Sequence, residues 1–140
     1  MKTADQKKAQ ISDGCENTNE QTRISVKRVY DPPERKDGAR VLVDRLWPRG
    51  VRKERAELTL WLKDIAPSDE LRRWFGHDPA RFAEFSRRYR AELTANSEAV
   101  DRLRDLMKAG PVTLLYAARD TEHNEARVLA EHLKAHAVHG

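Results

Sequence analysis

Three short apolar runs, widely separated in the chain, constrain what this sequence can fold into more than any other feature. Ile24, Val26 and Val29 alternate with Ser25 and Lys27-Arg28, whereas Val41-Leu42-Val43 and Val112-Thr113-Leu114-Leu115-Tyr116 run continuously. Alternation marks a strand with one buried face, and a continuous run marks a strand covered on both. Long stretches with helical spacing separate them, and parallel strands need such crossovers. The expected fold is therefore a small three-layer α/β sandwich, with a mostly parallel central sheet and helices on both faces.

The connecting segments carry their own punctuation. Asp31-Pro32-Pro33 and Asp37-Gly38 mark turns. Leu58, Trp61 and Leu62 give a weak helical pattern. Pro67-Ser68 should start a helix with Asp69 and Glu70 in its first turn, where carboxylates complement the helix dipole. Asp78-Pro79 reads as an N-cap followed by proline, leading into Phe82, Phe85, Tyr89 and Leu93 at spacings of three and four. Val100, Leu103, Leu106 and Met107 repeat the spacing until Gly110-Pro111 ends it. Asp120 or Thr121 is predicted to cap a last helix striped by Ala126, Leu129, Ala130 and Leu133. Residues 1–22 are polar and of mixed charge, which predicts a disordered arm ahead of a single α/β domain over residues 23–140.

Composition then prunes the function classes. No apolar run approaches the roughly 20 residues that cross a bilayer, and no secretory signal opens the chain, so no membrane partner is expected and the cytoplasm is the expected compartment. The one cysteine, Cys15, permits no internal disulfide and no cysteine-based metal cage. Lys and Arg number 27 against 23 Asp and Glu, a net charge of +4 that raises nucleic acid as a partner. That partner is not favoured, because Arg52-Lys53-Glu54-Arg55 and Arg87-Arg88-Tyr89-Arg90-Ala91-Glu92 mix their signs as solvated, ion-paired helix faces do.

In open parallel sheets, ligands sit beyond the carboxyl ends of the strands, so the residues after each strand matter most. Those tails are polar: Lys27-Arg28 and Tyr30; Asp44-Arg45-Leu46-Trp47-Pro48-Arg49-Gly50; and Tyr116 with Arg119-Asp120-Thr121-Glu122-His123-Asn124. Arg45 and Arg49 can grip a phosphate or carboxylate in bidentate fashion, with Arg119 as a third cation and the opening N–H groups of the last helix as further donors. Trp47 can stack on a ring, and Tyr116, His123 and Asn124 are candidate ligand contacts. Asp44 and Asp120 can act as a general base, as a magnesium ligand pair, or simply as partners orienting the arginines. His77, beside a helix start, can donate to an anion or move a proton. Each also has a plain structural reading: a helix cap for Asp120, an ion pair for Asp44, loop packing for Trp47.

Other signals are missing from the sequence. It contains no glycine-rich dinucleotide fingerprint, no phosphate loop and no Gly-x-Ser-x-Gly elbow. Nicotinamide, flavin and serine-hydrolase chemistry therefore have no support. His132 and His136 stand four apart, but nothing adjacent completes a zinc site, so no metal ligand set is assigned and the cofactor stays unknown.

Four ordered motifs resemble a known family. They are Asp37-Gly38-Ala39-Arg40-Val41-Leu42-Val43-Asp44-Arg45-Leu46-Trp47-Pro48-Arg49-Gly50, Trp61-Leu62-Lys63-Asp64-Ile65-Ala66-Pro67-Ser68, Leu71-Arg72-Arg73-Trp74-Phe75-Gly76-His77-Asp78-Pro79, and Leu114-Leu115-Tyr116-Ala117-Ala118-Arg119-Asp120 with His123-Asn124. Together they resemble the YeaO-like family, a bacterial group within the domain of unknown function numbered 488. The resemblance spans about Ile24 to His136 and implies a small cytosolic α/β protein, but brings no reaction. The positions it matches include Asp44, Arg45, Trp47, Arg49, Trp61, Lys63, Asp64, His77, Asp78, Asp120, His123 and Asn124; Arg119 is not among them. Three readings of function stay open. They are an enzyme acting on a small phosphorylated or carboxylated substrate, a non-catalytic module that senses such a ligand, and a nucleic-acid partner.

Overall fold

The structure is a computed structural model that describes residues 24–137. The arm expected over residues 1–22, with Cys15, lies outside the described residues, as does the side chain of His136. The three expected strands form as β1 (Ile24–Arg28), β2 (Ala39–Leu42) and β4 (Val112–Tyr116). A fourth, β3 (Leu60–Trp61), completes an all-parallel sheet in the order β1-β4-β2-β3. β4 is buried at every residue and hydrogen-bonded on both sides, as its unbroken apolar run requires.

β3 corrects the weak helical pattern through Leu58, Trp61 and Leu62. That pattern spans barely one turn, too little to meet the cost of helix nucleation. The open edge of β2 captures the segment instead: Thr59 N–H donates to Arg40 O at 2.8 Å and Leu62 N–H to Leu42 O at 2.9 Å.

Five α-helices are present among the described residues: α1 (Lys53–Ala56), α2 (Asp69–Phe75), α3 (Phe82–Ala95), α4 (Ser97–Ala109) and α5 (Glu125–Ala137). Ser68 caps α2 by accepting from Leu71 N–H, and Asp78 caps a 3-10 turn (Pro79–Arg81) that runs into α3. The layers follow from side-chain alternation. Val41, Val112 and Leu114 face a large core shared with α2 to α5, including Phe85, Tyr89, Leu103 and Leu129. Leu42, Leu115 and Val29 face the other way, under Trp47, Val51, Leu58 and Trp61, so the second covering layer is α1 and its flanking loops.

The amino-terminal edge of the sheet holds an ion cluster. Asp37 and Arg40 are each only 4% exposed, with Arg40 Nη1 2.6 Å from Asp37 Oδ2. Lys27 Nζ lies 3.1 Å from the same oxygen, Arg40 Nε donates to Ala56 O, and Thr113 Oγ1 donates to Asp37 O at 2.8 Å. Gly38 makes this possible, because at φ +65° an added Cβ would lie 2.2 Å from Pro111 O. Burial alone would raise the Asp37 carboxyl, but the Glu34 N–H, Lys27 and Arg40 outweigh it and hold the group below its ordinary 3.8.

Removing one partner strands the other charges away from water, so Asp37→Asn should cost about 3 kcal/mol in urea unfolding at neutral pH. A depressed carboxyl stabilises the fold above its unfolded value and loses that contribution as pH falls toward its folded one. The gap between the variant and the parent should therefore close as the titration is carried below about pH 4; a pH-independent gap would show that the charge of Asp37 is not what matters.

Candidate functional site

A cavity of about 310 Å³ opens at the carboxyl ends of β2 and β4. Six of the candidate residues line it: Asp44, Arg45, Trp47, His77, His123 and Asn124. The other four stand elsewhere. Arg49 and Arg119 are exposed, Tyr116 is buried in the large core, and Asp120 sits in the turn behind the wall. The pairing of Arg45 with Arg49 around one anion is therefore not formed. Arg72 on α2 reaches the cavity instead, with Phe75, Phe85, Ala66 and Pro67 as apolar wall and Glu125 as a second carboxyl.

Asp44 links the strand tails. Its Oδ2 accepts from Ala117 N–H at 3.0 Å, and its carbonyl accepts from Trp61 Nε1 at 2.8 Å. Trp61 meets Trp47 edge to face, with centroids 5.2 Å apart, and Trp47 Nε1 donates to Val51 O at 2.7 Å. Both indoles thus hold the loop that carries Arg45.

The last helix starts later than Asp120 or Thr121. Asp120 Oδ1 accepts from Glu122 N–H and His123 N–H at 2.9 and 3.0 Å, a turn its short side chain favours over a helix start. Asn124, almost fully buried, then caps α5 by accepting from Arg127 N–H at 3.0 Å, which uses one of the donors expected for an anion. The Glu122 and His123 backbone donors and the His123 ring hold the Asp120 carboxyl down at about 2. An ionised carboxylate only accepts, so the His123 Nδ1 at 2.9 Å carries a proton toward it and the ring's orientation is fixed by that bond. His77 occupies the mouth at φ +58°, directly after Gly76 at φ +54°, a left-handed pair that turns the chain from α2 toward Asp78.

Two carboxyls stand at the cavity floor. Glu125, the first residue of α5, lies beside Asp44, and its Oε2 is shielded from water without a hydrogen-bond partner. Burial first, then the nearby Asp44, push Glu125 well above its ordinary 4.5. Nearby cations are incompletely used. The Nε atoms of Arg45 and Arg72 are shielded from water without a hydrogen-bond acceptor, although Asp69 Oδ1 stands 3.6 Å from Arg45 Nε, Arg45 Nη2 reaches Ala66 O and Pro67 O at 3.4 Å and Arg72 Nη2 reaches Asp69 at 2.8 Å. No group of three or more His, Cys, Asp or Glu among the described residues is arranged to hold a metal ion. No described helix is long and apolar enough to cross a membrane.

The family model described as the inactive DUF488-N3 subclade matches residues 23–139. The chain belongs to the DUF488 family. It is 48% identical over 112 residues to the protein described as uncharacterized protein YeaO from Escherichia coli (strain K12), covering 80% of this chain and 97% of that one. It is 47% identical over 111 residues to uncharacterized protein Rv3073c from Mycobacterium tuberculosis (strain ATCC 25618 / H37Rv), covering 79% and 93%. No solved structure matches the chain. The YeaO-like resemblance in the motifs is thus a true family relationship.

Sequence reasoning missed Arg72 and Glu125. Arg72 lies within the third motif, but only the packing of α2 aims it at the strand ends; Glu125 adjoins His123-Asn124, yet reads as an ordinary first-turn acid of a helix. The raised Glu125 carboxyl has a stability signature. A carboxyl raised in the folded state binds a proton that the unfolded chain has released, so its contribution is complete below about 4.5 and is lost as pH rises through its folded value. Glu125→Gln keeps the protonated shape without the ionisation. Its melting temperature relative to the parent should rise steadily from about pH 5 to about pH 8, and a flat difference would exclude a raised Glu125 carboxyl.

Proposed function

We propose that this DUF488 protein binds a small anionic metabolite in the strand-end cavity and holds it without turning it over, as a ligand-sensing module. The observation that carries this reading is the pair of arginines lining the cavity, Arg45 and Arg72, whose Nε atoms are shielded from water and make no hydrogen bond, and which share the one Asp69 carboxylate, 3.6 Å from Arg45 Nε and 2.8 Å from Arg72 Nη2. The volume of about 310 Å³ suits a small molecule, and Phe75, Phe85, Ala66 and Pro67 offer apolar surface to the rest of a phosphorylated or carboxylated ligand. A protonated Glu125 adds a donor and removes a repelling charge. The subclade's description as inactive fits binding without chemistry.

An acid–base enzyme is the second reading. It is favoured by His123, whose ring is oriented through Nδ1 by Asp120, in the same cavity as the raised Glu125 carboxyl. A thermal-shift screen of phosphorylated and carboxylated metabolites, with and without magnesium, separates the two, since a ligand selective for the native state raises the melting temperature. The expected hit raises it, loses at least tenfold in affinity in Arg72→Ala and in Arg45→Ala, is indifferent to Arg49→Ala, and is recovered unchanged after prolonged incubation. Conversion of the hit, abolished in His123→Ala with folding intact, would decide for the enzyme. A hit untouched by both arginine substitutions would move the site elsewhere.

A further inference from the structure

A second concavity, of about 490 Å³, lies between the tail of β1 and the segment leading into α1, away from the strand-end cavity's walls. Its walls include Tyr30, Pro32, Pro33, Gly50, Arg52 and Arg55, and Asp31 is the single carboxylate on them. The sequence pattern Arg52-Lys53-Glu54-Arg55 suggested a helix face that neutralises itself, but α1 is only four residues long and leaves no room for pairs one turn apart. Among the described residues, Arg52, Lys53 and Arg55 have no ion pair or side-chain hydrogen bond. The contrast with α3 is direct, where Glu84 is paired to both Arg87 and Arg88. The basic charge of this groove is therefore unspent.

Beside those cations stands an exposed aromatic ring. Tyr30 is 45% accessible, unusual for a large hydrophobic side chain, and it is held in place rather than loose. Its hydroxyl donates to Arg49 O at 2.9 Å, and the Arg28 guanidinium backs the ring 4.9 Å from its centroid. Lys27 Nζ fixes the Pro32 carbonyl at 2.7 Å, tying the Pro32-Pro33 wall to the buried Asp37 cluster. A rigid ring flanked by unpaired guanidinium groups matches a chain of stacked bases on a phosphate backbone. Gly50, at φ +78° with open space around its Cα, leaves the floor uncovered.

We propose that this groove binds single-stranded nucleic acid, with backbone phosphates on Arg52 and Arg55 and a base against the Tyr30 ring. This site is independent of the anion cavity and takes a different ligand.

Fluorescence anisotropy of a labelled RNA strand of about 12 nucleotides, with the full chain at low salt, tests it. The intact protein should bind, with affinity falling as salt rises from about 50 to about 200 mM, because each phosphate contact releases counterions. Arg52→Ala with Arg55→Ala should weaken binding at least tenfold and flatten the logarithmic salt slope by about 1.4, some 0.7 for each lost contact. Tyr30→Ala should weaken it at least fivefold, and Tyr30→Phe, which keeps the ring, should restore it. Melting temperatures of the variants certify that each folds. Absence of binding at low salt overturns the proposal, as does binding that the double variant leaves intact. Equal affinity for a free mononucleotide overturns the strand in favour of a nucleotide site. Arg72→Ala leaves this groove untouched, so loss of the metabolite hit and loss of RNA binding report on separate sites.

Discussion

The ladder on both sides of Val112–Tyr116 is the constraint on which the rest of the molecule depends. A strand buried at every residue can satisfy its peptide groups only through neighbours on each side, and β1 and β2 supply them in parallel register. Parallel register forces long crossovers; the one between β3 and β4 delivers α2, α3 and α4 to the large core, which α5, following β4, completes. It also brings the tails of β2 and β4 together at one edge, where Ala117 N–H and the Asp44 carboxylate meet.

Around that bond the chain concentrates groups that are costly to bury. Burial and the nearby Asp44 push the Glu125 carboxyl up, and Arg45 and Arg72 stand close, their Nε atoms without a hydrogen-bond acceptor. The opposite edge of the sheet solves a similar problem differently: Asp37 is surrounded by Arg40 and Lys27, so its charge is satisfied and it stays ionised. Both edges keep an orphaned donor, since Arg40 Nη2 is also shielded without a partner, but only at the carboxyl edge do such donors belong to residues that line a cavity. The cavity, more than any difference in residue type, separates a stabilising cluster from a candidate site.

The surface charge follows the same logic. Mixed-sign runs neutralise themselves only where a helix is long enough to set acid and base one turn apart, as on α3. On α1 the composition is alike, but the helix stops before the geometry can form. Arg52 and Arg55 are left facing the groove beside Tyr30.

By itself the sequence determined the three principal strands, the starts at Ser68 and Asp78, the parallel α/β class, the family, and the Asp44-to-Trp47 loop as part of a polar strand edge. Each of these rests on local signals: apolar run length, capping chemistry or ordered motifs. The tertiary structure alone decided the rest, because it depends on which edges and faces meet. The short β3 exists because β2 had an open edge; Arg49 leaves the cavity and Arg72 enters it because helix packing, not chain proximity, aims them. Asp120 became the holder of His123 rather than a cap, and Glu125 became an acid, because burial against Asp44 sets its protonation. Sequence records which charges are present, whereas desolvation and pairing, which only the folded chain fixes, decide what those charges do.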